Sequence, residues 1–392
     1  MKTIRIHYVF LLTTCVVGQY VVDGSGAKSP PRFEISLDSD PEHRWDDAIE
    51  MFNDTIHSSL EDLFETNPKV KEGMEVVKFL VDKNPSVMKT WFGEPQYFEL
   101  VGIARMTKID LSLLASLNVI YDLTASGFAN AEACTGIVVQ SEDGSIVHGR
   151  NLDYSFPSEM ENLTAIVDYT RNGTIVFTSV SYVFMPGFNT GFKPYAFSIS
   201  QNERDQGIIL NNWLDLFVSP RLSTFSTIRQ VMDLADSYDD AITELSNAKL
   251  PVDSYFVVGG TKIGEGAILT RTADNLVDKW EIGTARYNNA SWYVLETNYD
   301  SFKPLPPTAL VRDNRRNPAV AFLNEAGPNA FDDVSTMLAC MTNTKHNASN
   351  GERPVYNSDT VYTAIMQAAK PENFKVVVHG QPYPDNHQEP VA

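Results

Sequence analysis

The sequence is poor in cysteine: its 392 residues include only Cys15, Cys134 and Cys340. Small secreted scaffolds that depend on disulfides are much richer in cysteine, so that class of fold is excluded. A chain of this length can bury a hydrophobic core instead. Because Cys15 lies in a predicted leader, the mature chain keeps two cysteines, and we expect at least one free thiol.

Positive charge is also scarce. The chain has 31 Lys and Arg residues against 50 Asp and Glu residues, with a formal net charge of −19 and a pI of about 4.7. No cluster of Lys and Arg appears, which argues against a nucleic acid partner. Protonation of carboxylates in an acidic compartment would reduce self-repulsion, which suits a lysosomal protein without identifying one. No phosphate-binding glycine loop or zinc-type cluster is present, so we predict no cofactor.

Long apolar runs are missing except near the N-terminus. Lys2 and Arg5 precede an apolar run over 8–17, and Gly18 follows as a small residue. This order is typical of a secretory signal peptide, and the run is too short to cross a bilayer, which needs roughly 20 apolar residues. We predict a signal peptide at residues 1–18. Cleavage after Ala27 and an uncleaved N-terminal anchor are the alternatives.

Asn-x-Ser/Thr triplets fit the same secretory route. Each triplet alone is a weak signal because it also arises by chance, but together with the leader the five predict a lysosomal or extracellular glycoprotein. The predicted glycosylation sites are Asn53, Asn162, Asn172, Asn289 and Asn347.

The apolar pattern changes at residue 134. Before about residue 125, four-residue spacing of apolar residues, as in Ala48, Phe52 and Ile56, predicts helices. From residue 134 onward, β-branched runs and turns predict antiparallel hairpins with a helical block among them. One further helix is predicted at 334–341, followed by a polar end without regular structure. Strand runs without βαβ alternation indicate an α+β fold with an antiparallel sheet.

Cys134 begins the first of these strands, directly after a loop of mostly small residues at 125–133. A cation beside a thiol favours the thiolate, and a carboxylate beside an amine holds and orients it. We expect the hairpin to fold Arg150 and Asp153 back beside the cysteine for these purposes. The alternative is a buried structural cysteine, and for Cys340, on the apolar face of a helix, that is our prediction.

Several motifs together resemble a known family. In chain order they lie at 31–38, 134–138, 148–153, 202–205, 297–300 and 315–316. With them, the sequence resembles the acid ceramidase and N-acylethanolamine acid amidase group of N-terminal nucleophile hydrolases. The resemblance covers nearly all of the mature chain, and its first motif is more similar to the acylethanolamine branch.

The resemblance implies a fold, a maturation and an activity. The fold is an αββα sandwich with antiparallel sheets, preceded by a mostly helical segment. Cleavage between Ala133 and Cys134 would give a small helical chain, 19–133, and a catalytic chain, 134–392, which associate with each other. The substrate would be a lipid amide, hydrolysed to a fatty acid and an amine without a cofactor. Transient contact with a membrane or micelle surface is a further expected partner.

The resemblance also assigns a site. Six residues match the family's motifs: Cys134, Arg150, Asp153, Glu203, Asn298 and Arg315. Cys134 is the implied nucleophile, with its freed α-amine as base, and Arg150 and Asp153 match an active-site pair. Asn298 matches an oxyanion-hole asparagine, and Glu203 matches a carboxylate implicated in processing or substrate positioning. The matching arginine near residue 315 has a less certain role.

An N-terminal cysteine suits this chemistry because one residue carries both nucleophile and base. An α-amine has an unperturbed pKa of about 7.7–8.0, the lowest of the protein amines. At pH 5 an unperturbed thiol is ionised roughly one part in 3,000. An acid-active enzyme must therefore lower the pKa of the thiol, for which Arg150 is suited, or transfer its proton during attack, for which the amine is suited.

Three features depart from the family's pattern. Gly136 stands where a serine is usual, so a hydroxyl near the site is lost. The loop at 126–133 is longer and richer in small residues, which leaves the rate of self-cleavage open. The helical segment has no cysteine, so the inter-chain disulfide of acid ceramidases cannot form and packing alone must hold the two chains together.

Several alternatives stay open on the sequence. The substrate could be ceramide, an N-acylethanolamine, or an amide of the bile-salt or penicillin type. A catalytically silent lipid-binding protein would keep the fold without the chemistry, and a papain-like protease would need a separate histidine, for which His148 is the candidate. An apolar surface for the acyl chain is predicted, with ordinary core packing as the alternative, at Phe184, Met185, Phe188 and Phe192.

Overall fold

The computed structural model of the chain describes residues 21–22, 28–125, 133–154, 156–204, 206, 208–307, 314–347, 349 and 351–379. The predicted signal peptide, 1–18, and the loop at 126–132 lie outside the described residues. No helix among the residues that are described is long and apolar enough to span a membrane.

The segment before Cys134 is mainly helical, as predicted. Its apolar four-residue spacing buries Phe52 and Ile56, and the side chain of Asp110 caps a helix by accepting hydrogen bonds from the backbone of Ser112 and Leu113. The described strands are β1 (Val21–Val22), β2 (Lys28–Ser29) and β3 (Arg32–Ser36), and the helices are α1 (Asp46–Thr66), α2 (Pro68–Lys83), α3 (Val87–Thr107), α4 (Leu111–Asn118) and α5 (Ile120–Thr124).

The segment from Cys134 onward supplies most of the strands. In chain order its elements are β4 (Ala133–Gln140), β5 (Ile146–Asp153), α6 (Pro157–Glu161), β6 (Thr164–Arg171), β7 (Thr174–Tyr182), β8 (Thr190–Lys193), β9 (Phe197–Glu203), α7 (Ile209–Phe217), α8 (Thr224–Leu234), α9 (Tyr238–Asn247), β10 (Ser254–Gly259), β11 (Gly266–Arg271), β12 (Leu276–Glu281), β13 (Tyr293–Glu296), α10 (Arg316–Ala326), α11 (Val334–Met341), β14 (Thr360–Met366) and β15 (Lys375–Val378).

The strands form two sheets that pack face to face. One has the order β1-β2-β15-β14-β5-β4-β13, and the other has the order β12-β11-β10-β9-β8-β7-β6-β3. Pairing is antiparallel except between β3 and β6 in the described part. Helices α10 and α11 cover the outer face of the first sheet, and α8 and α9 cover the second. The expected α+β fold, an αββα sandwich preceded by a helical segment, is confirmed.

One expectation, about the C-terminal end of the chain, is wrong. The region after α11 was expected to lack regular structure, but β14 pairs with both β5 and β15 inside the first sheet. The region before α1 supplies β3 to the edge of the second sheet. Both strands are short, and polar residues flank them, so their burial depends on partners far away in sequence.

Gly136 is required by the packing between the two sheets. A β-carbon at this position would lie 2.8 Å from Cγ2 of Val257 and 3.2 Å from Oγ of Ser200. The first distance is too short for any side chain. The hydroxyl group that a serine would have supplied is therefore replaced by neighbours from the opposite sheet, among them Ser200.

A buried ionic cluster joins the helical segment to the remainder of the chain. Glu99 of α3 is completely buried and binds both guanidinium nitrogens of Arg229 in α8, one of them at 2.6 Å. Arg44 and Trp45 also donate to Glu99, each at 2.9 Å. Burial alone would raise the pKa of Glu99, but Arg229 and these donors hold it below its ordinary value. This carboxylate is therefore an ionised link across the predicted chain boundary.

We predict that Arg229→Met lowers the free energy of unfolding by about 3–5 kcal/mol, because it removes the main partner of a buried carboxylate. Urea titration would measure the change. Lys78→Met is the control, since Lys78 forms an exposed ion pair with Asp82, and its effect on the free energy of unfolding should be much smaller. Equal effects of the two substitutions would contradict the importance of the buried cluster.

Candidate active site

The β4–β5 hairpin places Cys134 and Arg150 on the same side of the first sheet. Cys134 opposes Leu152 and Gly136 opposes Arg150 in the register, so both side chains face the second sheet, and both are completely buried. Nη1 of Arg150 donates to Oδ1 of Asn202 at 2.6 Å. The cation is thus held beside the thiol by a strand of the opposite sheet.

Arg150 and Cys134 interact electrostatically. Burial alone would lower the pKa of Arg150, but the attraction of Cys134 and Tyr362 and a hydrogen bond with Cys134 raise it above its ordinary value. The guanidinium therefore stays charged although it is buried. A fixed cation next to a thiol stabilises the thiolate, which is the nucleophilic form.

The nitrogen of Cys134 is bound by Asn298. The backbone N–H of Cys134 donates to Oδ1 of Asn298 at 3.0 Å, and Nη2 of Arg315 donates to the same oxygen at 2.6 Å. Both partners can only donate, so the carbonyl side of the amide must face them. Nδ2 of Asn298 donates to the backbone oxygen of Glu203 at 3.0 Å. In this arrangement Asn298 orients the nitrogen that would become the α-amine, and its predicted oxyanion role stays a prediction.

Asp153 binds Arg315 and does not pair with Arg150. Its carboxylate accepts from Nη1 of Arg315 at 2.8 Å, from Thr360 at 2.7 Å and from Asn357 at 3.0 Å. Arg150 and Asp153 are three positions apart, so strand alternation puts their side chains on opposite faces of β5. Burial raises the pKa of Asp153 above its ordinary value, while Arg315 and the hydrogen bonds oppose that shift. The carboxylate acts on Cys134 through Arg315 and Asn298.

Five of the six predicted site residues therefore form one connected group around Cys134. Glu203 lies at the end of β9, is buried, and joins the group through its backbone oxygen. Arg315, whose role the sequence left uncertain, links Asp153, Asn298 and Thr135, which accepts from it at 3.2 Å.

His148 is unsuitable as the base of a papain-like site. It opposes Val138 in the hairpin register, four residues along β4 from Cys134 and therefore about 14 Å away along the strand. Its two ring nitrogens lie 2.9 Å from the hydroxyl groups of Ser198 and Ser200. Burial lowers the pKa of His148 to about 3, so the ring is neutral. That alternative is wrong.

An apolar cavity opens against Leu152, the cross-strand neighbour of Cys134. The helical segment contributes Leu60, Leu63, Leu117 and Ile120, and the remainder of the chain contributes residues that include Phe156, Met160, Leu163, Tyr182, Phe184, Met185 and Phe225. The cavity is therefore built by both predicted chains.

The predicted acyl lining is only partly at this cavity. Phe184 and Met185 line it, and Phe188 lines a smaller adjoining cavity. Phe192 lines neither and packs against the ring of Phe374 at 4.9 Å between centroids. For Phe192 the alternative of ordinary core packing is correct.

Comparison with known proteins decides the family. A family model described as linear amide C-N hydrolases, choloylglycine hydrolase family, matches residues 134–327. The N-acylethanolamine-hydrolyzing acid amidase of Rattus norvegicus is 32% identical over 352 residues, which cover 89% of each chain. This chain belongs to the acid ceramidase and N-acylethanolamine acid amidase family. The acid ceramidase of Mus musculus is 30% identical over 91% of this chain and 88% of its own.

The solved structure of a Caenorhabditis elegans N-acylethanolamine-hydrolyzing acid amidase ortholog agrees with this family. It is 29% identical to this chain, with a TM-score of 0.53. The match covers 63% of this chain and 100% of the solved chain. Membership of the amidase family, together with the matched family of linear amide hydrolases, makes this chain an enzyme that hydrolyses linear carbon–nitrogen bonds.

Some residues of this amidase's site were not foreseen from its sequence. Asn202 holds Arg150 and also donates to the backbone oxygens of residues 296 and 297. Thr360 and Asn357 bind Asp153, and Tyr362 lies close enough to Arg150 to affect its pKa. Asn202 begins one of the matched motifs, which was a usable signal. The other three come from the region expected to be irregular.

Glu296 is a buried carboxyl group two residues before Asn298. Burial raises its pKa from 4.5 to about 8, and Arg316, at 3.9 Å, opposes the shift. Such a group binds its proton more tightly in the folded protein than in the unfolded chain. Its stabilising effect is complete below about pH 4.5 and is lost as the pH rises towards 8.

We predict that Glu296→Gln flattens the dependence of stability on pH. The wild-type free energy of unfolding should fall between pH 5 and pH 8 by about 1.4 kcal/mol per unit through this group, and the neutral variant should lose that contribution. Urea titrations across this range measure it. The same exchange at the exposed Glu244 should leave the profile unchanged, and an unaltered slope in Glu296→Gln would contradict the raised pKa.

Proposed function

We propose that the chain is a lipid amidase that matures by cleavage between Ala133 and Cys134 and hydrolyses N-acylethanolamines, ceramide or both. One observation carries the proposal: a buried cysteine has a cation at its thiol and an oriented acceptor at its nitrogen, and its cross-strand neighbour lines an apolar cavity. The names of the relatives, N-acylethanolamine acid amidase and acid ceramidase, support the substrate class.

The proposed reaction uses the two functional groups of Cys134. The thiol of Cys134 first attacks the carbonyl carbon of Ala133, and its proton passes to the departing nitrogen as the peptide bond breaks. Water then hydrolyses the resulting thioester, which leaves residue 133 as a carboxylate and Cys134 with a free thiol and a free α-amine. The thiol then attacks the substrate carbonyl while its proton passes to the α-amine, and the leaving amine takes that proton as the carbon–nitrogen bond breaks. A thioester remains on Sγ. Water attacks it with the same amine as base, which releases the fatty acid and restores the thiol.

The supporting residues have distinct roles in this proposal. Arg150 stabilises the thiolate, and Asn298 orients the α-amine through its carbonyl oxygen. Arg315 and Asp153 hold Asn298 in that orientation. A donor in an oxyanion hole typically lowers the barrier by roughly 3–4 kcal/mol, and we assign that role to Nδ2 of Asn298. The carboxyl group of Glu203 is assigned to processing or substrate positioning.

We also propose a lysosomal or extracellular location. The sequence order of the leader supports it, as does the net charge of −19. Four of the five predicted glycosylation sites, Asn162, Asn172, Asn289 and Asn347, are exposed, and Asn53 is half-buried within α1. Glycans at the four exposed positions would meet no obstruction from the fold.

N-terminal sequencing of the purified larger chain tests the maturation. We expect it to begin at Cys134, and we expect Cys134→Ala to stay uncut and inactive, because it lacks the thiol needed for both steps. Cys340→Ala is the matched control: Cys340 is also buried, and burial raises the pKa of its thiol, so this variant should mature and remain active. A cut Cys134→Ala chain would show that another protease performs the cleavage.

Parallel assays at pH 4.5 test the substrate. The processed protein is incubated separately with palmitoylethanolamide, ceramide, a conjugated bile salt and penicillin V. The proposal predicts release of fatty acid from one or both of the first two. Activity confined to the last two would contradict the lipid assignment, and no turnover with a full-length, unprocessed chain would favour a silent lipid-binding protein.

We propose that α7 makes the transient contact with a membrane or micelle. Leu210, Leu214 and Val218 follow each other at four-residue spacing and are 43–71% exposed. The opposite face of the helix is anchored, since Leu216 is completely buried and Nδ2 of Asn212 donates to the backbone oxygen of Ala125 at 2.7 Å. An anchored helix with an exposed apolar stripe fits the surface of a lipid aggregate.

We predict that the double variant Leu210→Gln, Leu214→Gln binds vesicles of phosphatidylcholine and phosphatidylserine several-fold more weakly at pH 4.5 in a sedimentation assay. Hydrolysis of a soluble short-chain amide should be unchanged. Ile263→Gln is the control, because Ile263 is exposed but isolated from the stripe. Equal vesicle binding by all three proteins would contradict the role of α7.

A further inference from the structure

Asn189 lies in the wall shared by the two adjoining cavities, immediately before β8. Its side chain is only 6% exposed. The backbone oxygen of Asn189 accepts from the nitrogen of Gln201 at 2.9 Å, which ties its position to β9. The walls of both cavities are otherwise mostly aliphatic and aromatic, so a fixed amide is an unusual component.

Among the residues described, the oxygen of this side-chain amide is hydrogen-bonded, and its nitrogen is not. Oδ1 of Asn189 accepts from the hydroxyl groups of Tyr362 and Thr190, each at 3.2 Å. Within the described part of the chain, Nδ2 of Asn189 makes no hydrogen bond. Because Asn189 lines both cavities, a ligand that enters there can provide an acceptor for this donor.

The sheet order places this donor on the acyl side of the nucleophile. Tyr362 opposes Leu152, and Leu152 opposes Cys134, so the phenol that binds Asn189 lies one strand beyond the neighbour of the cysteine. Asn298 follows β13, on the other flank of β4. A substrate carbonyl oxygen directed towards Asn298 therefore points away from Asn189. Nδ2 is left to contact the first carbons of the acyl chain.

We propose that Asn189 is a specificity-determining residue that selects acyl chains with a hydroxyl group near the scissile carbonyl, at C2 or C3. The inference rests on the proposed function, because it assigns the cavity to the acyl chain. An unsubstituted chain displaces water from Nδ2 and leaves it without an acceptor, whereas a hydroxyl oxygen accepts from it. A hydroxyl group can also donate, so it satisfies either face of the amide.

The test compares acyl chains of matched shape. Ethanolamides of 2-hydroxypalmitate and 2-methylpalmitate differ in the presence of an acceptor but little in size, and the 3-substituted pair is compared in the same way. The wild-type enzyme should favour the hydroxyl compound of one pair by about tenfold in kcat/KM. In Asn189→Leu the ratio should fall to about one. A ratio that is the same in both enzymes for both pairs would overturn the inference.

Controls separate this inference from folding and from the proposed function. Met185 lines both cavities and its side chain offers no hydrogen bond. Met185→Leu should therefore change kcat/KM for both members of a pair and leave the ratio of hydroxyl to methyl compound unchanged. Asn189→Ala, which cannot clash, replaces Asn189→Leu if the latter fails to fold. Hydrolysis of palmitoylethanolamide by the wild-type protein tests the proposed function by itself.

Binding provides a readout that needs no turnover. In a calorimetric titration, the wild-type protein should bind the hydroxyl acid of one pair about tenfold more tightly than the methyl acid. The two pairs are 2-hydroxypalmitate with 2-methylpalmitate and 3-hydroxypalmitate with 3-methylpalmitate. Asn189→Leu should bind the members of each pair equally. Equal binding of both pairs by the wild-type protein would overturn the inference even if the amides are not hydrolysed.

Discussion

Arg315 is completely buried, yet its guanidinium contacts Thr135, Asp153 and Asn298 at the same time. A buried cation is tolerated only when it is paired and hydrogen-bonded, so it dictates where the carboxylate of Asp153 lies. It also occupies one side of Oδ1 of Asn298 and leaves the other side for the nitrogen of Cys134. Four segments that are distant in sequence are thereby brought to one point, and the geometry of the nucleophile depends on their meeting there.

The cavity also depends on contacts between distant parts of the chain, here between the helical segment and the remainder. Leu60 and Leu63 of α1 form part of the wall that faces Leu152, so the cavity exists only while the helices stay bound. In the described part of the chain both cysteines are free thiols, and no disulfide holds the two segments together. Apolar packing and the buried pair of Glu99 and Arg229 replace it. The interface between the two segments therefore both holds the small chain in place and forms the cavity for the acyl group.

Much of this could be predicted from the sequence, where the signals are local. The β-branched run after Cys134 and its turn predicted the first hairpin, and four-residue apolar spacing predicted the helices. The pairing of Asp153 could not be predicted in the same way, because its partner Arg315 lies 162 residues further along the chain. Strand alternation does separate Arg150 from Asp153, so the expectation that both lie directly beside the thiol was avoidable. Strand β14 was missed because its burial comes from other elements, among them β5, β15, α6 and α11.

Trapping the acyl-enzyme tests the central claim most directly, namely that the nitrogen and the sulfur of Cys134 work together after the chain is cut before that residue. The protein would be quenched in acid during turnover of palmitoylethanolamide, digested and analysed by mass spectrometry. The account predicts a palmitoyl group on a peptide whose N-terminal residue is Cys134. A palmitoyl group on any other residue, or on a peptide that continues unbroken through Ala133, would contradict it.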